Sequence, residues 1–324
     1  MKKISVYGAG AWGTALAAAV ERAGNDVTIW AREGEVIESI NSSHVNDMFL
    51  AGVPLSENIK ATSDLADIIN SDAILMVSPA QYLRSSCESL KQAGIGEDVV
   101  LVICSKGIEN GSLKMMSDVI KEVFPNPVTV LSGPTFAHEV AKSLPASVTL
   151  ACENHDLCSK LASSMESDSF KIFKNDDIIG AQIGGSVKNV IAIACGISEG
   201  KQLGENAKAA LITKGVKEMK RICVAMGGNA ETLLELCGVG DLILTCSSRQ
   251  SRNMSLGFDL GSGKSFEEIM KGRKTVAEGV ASSQSVVALA DKLGVEVPIC
   301  KAVYDIVHGN ADIEHTIKTL IQRS

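Results

Sequence analysis

Residues Lys3–Gly13 read KISVYGAGAWG, a short apolar strand that runs directly into glycines at 8, 10 and 13. An alanine-rich helix, Trp12–Arg22, opens inside this turn, and a second strand, Asp26–Trp30, follows it. The spacing is G-x-G-x-x-G, and each glycine has a separate physical task. Gly8 permits the tight turn, Gly10 lets backbone approach a pyrophosphate, and Gly13 lets the helix pack close to the sheet. The N–H groups of the first helical turn then face the phosphates. Strand, glycine turn, helix and second strand together form the context that dinucleotide binding requires. The fold is thereby tied to a strand–helix–strand unit with parallel strands.

The rest of the first half continues that pattern. Apolar runs recur at Ile4–Tyr7, Val27–Trp30, Ala73–Val77, Val99–Cys104, Val128–Leu131 and Ser147–Leu150, with helical patterns such as Asp64–Asn70 and Gln81–Ala93 between them. Continuous apolar strands alternating with helices predict a mostly parallel, doubly wound α/β sheet covered on both faces. From about Asp177 the patterns turn helical: Val187–Ser198, Ala207–Met226, Ala230–Cys237, Phe266–Lys271, Val276–Leu293 and Lys301–His308. We therefore expect a Rossmann-like domain over 1–178 and a mainly α-helical domain over 179–324.

Which dinucleotide is bound depends on the end of the second strand. An acidic residue there would hold the ribose 2′-hydroxyl of NAD, whereas arginine accommodates a 2′-phosphate. The strand ends Trp30-Ala31-Arg32-Glu33. Ala31 holds the place of the acid and Arg32 follows it, so NADPH is the preferred cofactor. Glu33 could still serve a 2′-hydroxyl, which keeps NADH possible.

Composition excludes other classes. Of 324 residues, 45% are hydrophobic and 21% charged, and the net charge is −7. A disordered polyelectrolyte would be less apolar, and a nucleic-acid binder would carry a basic stripe. Neither a transmembrane segment nor a nucleic-acid partner is expected. The apolar N-terminus mimics a secretory signal, but the three glycines break it. Nine cysteines, an odd number without CxxC spacing, lie mostly in apolar runs. That predicts reduced core thiols, a reducing cytoplasmic setting and no metal.

Four further segments carry candidate chemistry. Lys106, in Cys104-Ser105-Lys106-Gly107, follows an apolar strand, where ligands bind in open α/β sheets. Ser132–Ala137, SGPTFA, follows another strand and offers small residues and a hydroxyl. Gly184–Ala194, GGSVKNVIAIA, is a helix apolar almost all round and therefore buried. It carries Lys188, whose desolvation lowers its pKa and suits it to general acid–base work. Gly184, one turn earlier on the same face, is expected to leave room for a ligand. Asp241, in Gly238–Leu242, could hold Lys188 charged by an ion pair. Ser251, Arg252 and Asn253 cluster donors at an expected loop-to-helix junction, a setting suited to a phosphate.

In this order the segments GAGAWGTALA (8–17), SKGIE (105–109), SGPTFAHEVA (132–141), GGSVKNVIAIACG (184–196), GVGDLILTC (238–246), QSRN (250–253) and VAEGV (276–280) resemble the bacterial-type NAD(P)-dependent glycerol-3-phosphate dehydrogenases across essentially the whole chain. The resemblance implies reversible hydride transfer between NAD(P)H and dihydroxyacetone phosphate, giving sn-glycerol 3-phosphate for phospholipid synthesis. It implies that Lys188 is the proton acceptor in alcohol oxidation. Lys106, Gly133, Thr135, Lys188, Asp241, Ser251, Arg252 and Asn253 would contact substrate. Gly8, Gly10, Ala11, Trp12, Gly13, Arg32, Lys106, Ala137, Arg252, Val276 and Glu278 would contact the cofactor. Thr135 stands where the family often has serine, which keeps the hydroxyl. Gln81 stands where a histidine is common, and Phe49 where a tyrosine is common.

Two rivals remain open on the residues alone. One is another two-domain NADPH-dependent reductase of a small oxo acid, of the ketopantoate type. The other is a nucleotide-sensing protein without catalysis. A homodimer is expected from the prevalence of two-fold oligomers.

Overall fold

The fold is described from a computed structural model covering residues 1–271, 277–309 and 311–322, with 318–322 as backbone alone. Contacts divide the chain into two compact units. The first comprises Met1–Ser105 and Met116–Ile178, and the second Lys106–Met115 and Ile179–Ser324.

The first unit is built on eight strands: β1 (Lys3–Tyr7), β2 (Asp26–Trp30), β3 (Lys60–Thr62), β4 (Ala73–Met76), β5 (Val100–Ile103), β6 (Val128–Ser132), β7 (Ala146–Ala151) and β8 (Phe170–Asn175). Their order in the sheet is β3-β2-β1-β4-β5-β6-β7-β8. All neighbours run parallel except β6 and β7. The all-buried sequences of β4 (AILM), β5 (VLVI) and β6 (VTVLS) show why the centre of the sheet is continuously apolar: such strands are covered on both faces. The helices are α1 (Ala11–Arg22), α2 (Gly34–Ser43), α3 (Asp47–Leu50), α4 (Leu83–Gln92), α5 (Met116–Val123), α6 (Ala137–Ala141) and α7 (His155–Met165). Chain order reverses between β1 and β4, the switch point beyond which open α/β sheets bind their ligands.

Two strands were not anticipated. β3 has three residues, and β8, FKIFKN, alternates buried and exposed positions at the sheet edge. The helix expected over Asp64–Asn70 is only a 3₁₀ turn, Leu65–Asp67, capped by the Asp64 side chain.

The second unit is helical: α8 (Ile178–Gly200), α9 (Glu205–Ala225), a 3₁₀ stretch Ala230–Leu234, a π-helical turn Leu236–Gly240, α10 (Asp241–Ser247), α11 (Arg252–Gly261), α12 (Phe266–Lys271), α13 (Glu278–Leu293), α14 (Pro298–Gly309) and α15 (Ile313–Gln322). By length and composition α8 could cross a membrane, but 94% of its apolar window is buried among the other helices. Lys106–Met115 joins this unit because Ile108 and Met115, fully buried, belong to its core. Lys106, expected at the edge of the sheet domain, therefore packs with the helices.

In α8, Gly196 and Gly200 face Gly257 and Gly261 of α11. A Cβ on any of the four would lie 2.1–2.4 Å from a backbone carbonyl oxygen of the opposite helix. The two backbones meet with no side chain between them.

Candidate active site

In the first unit the glycine turn has three distinct environments. Gly8 takes φ +116°, a conformation that side chains rarely adopt. A Cβ on Gly13 would sit 1.9 Å from the Gly8 carbonyl oxygen, so the helix can start there only with glycine. Around Gly10 nothing lies within 4 Å of the Cβ position. Gly10 is also the N-cap of α1, and no side chain caps this helix. The amides of Ala11, Trp12 and Gly13 thus open the helix without an intrahelical acceptor. The residues fit a dinucleotide: an open backbone approach leads to a helix N-terminus.

At the end of β2, Trp30 stacks on Tyr7 with ring centroids 4.3 Å apart, and Ala31 is buried. Arg32 projects outward with its side chain 85% exposed and reaches Glu33 at 3.3 Å. Arg32 and Glu33, the two competing readings of cofactor choice, are therefore paired with each other. Gly133 follows β6 and abuts β7, where a Cβ would lie 2.8 Å from the Val148 Cα. Thr135 is part-buried in the same loop, with its hydroxyl 3.4 Å from the Gly133 carbonyl. Ala137 opens α6 and packs partly against the core.

The second unit collects the titratable groups. Lys188 sits in the middle of α8, its side chain 8% exposed. Its Nζ donates to Asp241 Oδ1 at 2.8 Å and to Thr245 Oγ1 at 2.8 Å. Lys106 Nζ donates to the other oxygen, Asp241 Oδ2, at 2.5 Å. Asp241 begins α10, and Thr245, one turn later, donates its hydroxyl proton to the Asp241 backbone carbonyl at 2.6 Å. That bond directs a lone pair of Thr245 Oγ1 toward Lys188. The ammonium has three N–H bonds, and two are taken. One tetrahedral direction is left for a reacting atom.

The charges follow from burial. Desolvation lowers the Lys188 pKa to about 8, against the pull of Asp241, and the neighbouring Lys106 lowers it further. Burial alone would raise Asp241, but Lys106 and Lys188 together outweigh it and hold the carboxyl below its usual range. Half-buried Glu278, at the start of α13, is raised by desolvation, partly offset by Arg252, Lys106 and Lys188. A buried lysine lowered to about 8, beside a carboxyl held below its usual range, has the chemistry to exchange a proton.

The loop-to-helix junction lies at the start of α11. Ser251 is its N-cap, and its hydroxyl accepts from the Met254 amide at 3.2 Å. Asn253 donates to Asn189 Oδ1 at 2.9 Å and accepts from the Gly279 amide at 2.9 Å. Ser251 and Asn253 are thus engaged inside the unit by their side chains, and Arg252 is exposed and acts electrostatically on Glu278. Val276 lies outside the described residues.

Gly184 does not leave room for a ligand. A Cβ there would lie 2.3 Å from the Cys237 carbonyl oxygen and 3.1 Å from the Gly238 Cα. The space is filled by the backbone of the π-helical turn that leads into Asp241. Sequence reasoning also missed Thr245 and Asn189. Thr245 stands four residues after Asp241 on one helix, and Asn189 directly follows Lys188; both are spacing signals, but each needs a tertiary partner to acquire meaning. Among the described residues, no three His, Cys, Asp or Glu side chains group as a metal site. All nine cysteines are free and buried.

Comparison with known proteins fits this geometry. Residues 3–158 match the model of the NAD-dependent glycerol-3-phosphate dehydrogenase N-terminus, and residues 177–318 match that of its C-terminus. A protein named glycerol-3-phosphate dehydrogenase (NAD(P)+) from Caulobacter vibrioides is 51% identical over 99% of this chain and 97% of its own. Its namesake from Parvibaculum lavamentivorans is 49% identical with the same coverage. The crystal structure of glycerol-3-phosphate dehydrogenase from Coxiella burnetii superposes with a TM-score of 0.94 at 37% identity, covering 99% of both chains. A ketopantoate reductase from Ralstonia eutropha shares the fold at 17% identity and a TM-score of 0.63.

Proposed function

The chain belongs to the NAD-dependent glycerol-3-phosphate dehydrogenase family, and from that premise we propose that it interconverts dihydroxyacetone phosphate and sn-glycerol 3-phosphate with NADPH as preferred cofactor. The buried Lys106–Asp241–Lys188 arrangement carries this reading. A nicotinamide, when bound, supplies or accepts the hydride.

The protein supplies charge and protons. In the reducing direction the third N–H of Lys188 would give its proton to the ketone oxygen. Lys106 adds positive charge beside the developing alkoxide. Asp241 stays ionised throughout and, with Thr245, keeps the Lys188 amine from rotating. In the oxidising direction neutral Lys188 accepts the hydroxyl proton. Arg252 and the first amides of α11 would take the substrate phosphate, with Ser251 and Asn253 holding that helix start in place. Gly133 and Thr135 would also line the substrate. Gly8, Gly10, Ala11, Trp12, Gly13, Arg32 and Ala137 would line the dinucleotide, with Arg32 on the 2′-phosphate, and Glu278 would contact it.

We read the enzyme as a cytoplasmic homodimer that supplies glycerol 3-phosphate to phospholipid synthesis; the nine reduced thiols support the compartment. The test is loss of 340 nm absorbance with dihydroxyacetone phosphate, run in parallel with NADPH and NADH. Faster oxidation of NADPH is expected. Equal or faster use of NADH would overturn the role of Arg32. Nucleotide binding without turnover on either would favour the sensor reading.

A further inference from the structure

We infer that Asn46 is a positioning residue that aims the Gly10 amide at the dinucleotide. The inference rests on the dinucleotide-binding reading above. Asn46 lies in the stretch between α2 and α3, far from the glycine turn in sequence, and is 1% exposed. One hydrogen of its Nδ2 goes to the Ala9 carbonyl at 2.8 Å and the other to Thr14 Oγ1 at 2.8 Å. Its Oδ1 accepts from the Phe49 amide, which caps α3 and fixes the side chain's orientation. Thr14 in turn donates to the same Ala9 carbonyl at 3.3 Å. The middle carbonyl of the G-A-G turn is therefore clamped from inside by two donors.

A trans peptide is planar, so its C=O and N–H point in opposite directions. Clamping the Ala9 carbonyl inward turns the Gly10 N–H the opposite way, at a residue around whose Cβ position nothing lies within 4 Å. That amide then adds to those of Ala11, Trp12 and Gly13 as a preset donor to a diphosphate. Asparagine is needed because both its amide hydrogens are spent. An aspartate of the same shape would set a carboxylate against the Ala9 carbonyl and push that peptide plane to rotate.

The test is Asn46→Asp, read by calorimetric titration with NADPH and with ADP, which carries a diphosphate but no nicotinamide. Both dissociation constants should rise roughly 10-fold or more, the scale of losing charge-assisted donors. KM for the nucleotide should rise with them, while kcat at saturating nucleotide moves far less. Thermal melting of the free variant checks that it is folded. Should it not fold, Thr14→Val removes the second donor to Ala9 with little change of shape and should weaken both nucleotides about 3-fold. Wild-type affinity in a folded Asn46→Asp, or in Thr14→Val when the aspartate variant does not fold, would overturn the inference. A wild-type chain that binds neither nucleotide would overturn the reading beneath it instead.

Discussion

Glycine does opposite work at Gly10 of the first unit and inside the buried helices of the second. In the first, Gly10 leaves a space that no atom of the described residues fills within 4 Å, in a turn where backbone can meet a ligand. In the second, Gly184, Gly196, Gly200, Gly257 and Gly261 leave no space at all, because backbone carbonyls of neighbouring segments fill it. The contrast shows that a missing side chain records close approach without saying what approaches. A strand that runs into a turn and a helix N-terminus points to a ligand. A glycine within a helix that is buried on every side points to another backbone.

The sharpest test of this division of labour is the amine itself. Lys188→Ala should lower kcat by at least ~10²-fold, as for the loss of a general acid–base, with nucleotide affinity in the first unit unchanged. Steady-state kinetics and NADPH titration check the two halves. Little loss of kcat would remove Lys188 from the chemistry.

Two alanine substitutions set the comparison directly against itself. Gly257→Ala should destabilise the helical unit by about 2–3 kcal/mol, because its Cβ would meet the Ile193 carbonyl oxygen at 2.1 Å and both helices must shift. Gly10→Ala should leave the melting temperature nearly unchanged and weaken NADPH roughly 10-fold, because the methyl occupies the approach path. Denaturant melts and nucleotide titrations distinguish these results, and a reversed pattern would defeat the comparison.

The pH profile reports the electrostatics of the second unit. With Lys188 pushed down to about 8, oxidation needs the neutral amine and should rise as pH passes upward through about 8. Reduction needs the ammonium and should fall over the same range. Asp241→Asn removes the charge that favours the ammonium, so both limbs should move to lower pH. Rates measured in both directions between pH 6 and 10 check the sign.

The smallest effect belongs to the first unit's surface. Arg32→Ala should weaken NADPH about 5- to 10-fold with little change for NADH, since an exposed side chain contributes modestly. The difference should shrink as salt is raised.

Much of the first unit was legible because its signals are local. The central strands declare themselves by unbroken apolar runs, and the fingerprint by spacing. β3 is too short to show a period. β8 alternates in and out at the sheet edge, with only one face to bury. In the second unit the long helices were legible, but α10 and α15 were not anticipated, and the helix expected over Ala230–Cys237 is a 3₁₀ stretch followed by a π-helical turn; Lys188 and Asp241 stood out, as ionisable groups in apolar surroundings do. Their partners did not. Thr245 matters only because its hydroxyl, tied to the Asp241 carbonyl, meets Lys188. The return of Lys106–Met115 to the helical core depends on where Ile108 and Met115 find cover. Both facts belong to tertiary packing and leave no periodic mark.

The buried thiols give each unit its own clock. Cys87, Cys104, Cys152 and Cys158 lie inside the first, and Cys195, Cys223, Cys237, Cys246 and Cys300 inside the second. None can meet a bulky alkylating reagent until its surroundings open, and at Cys87 burial also disfavours the reactive thiolate, pushing its pKa up to about 12. Time-resolved alkylation followed by peptide mass mapping would therefore yield separate opening rates for the sheet and helical units from the unaltered chain. Nucleotide should slow the first set of reactions.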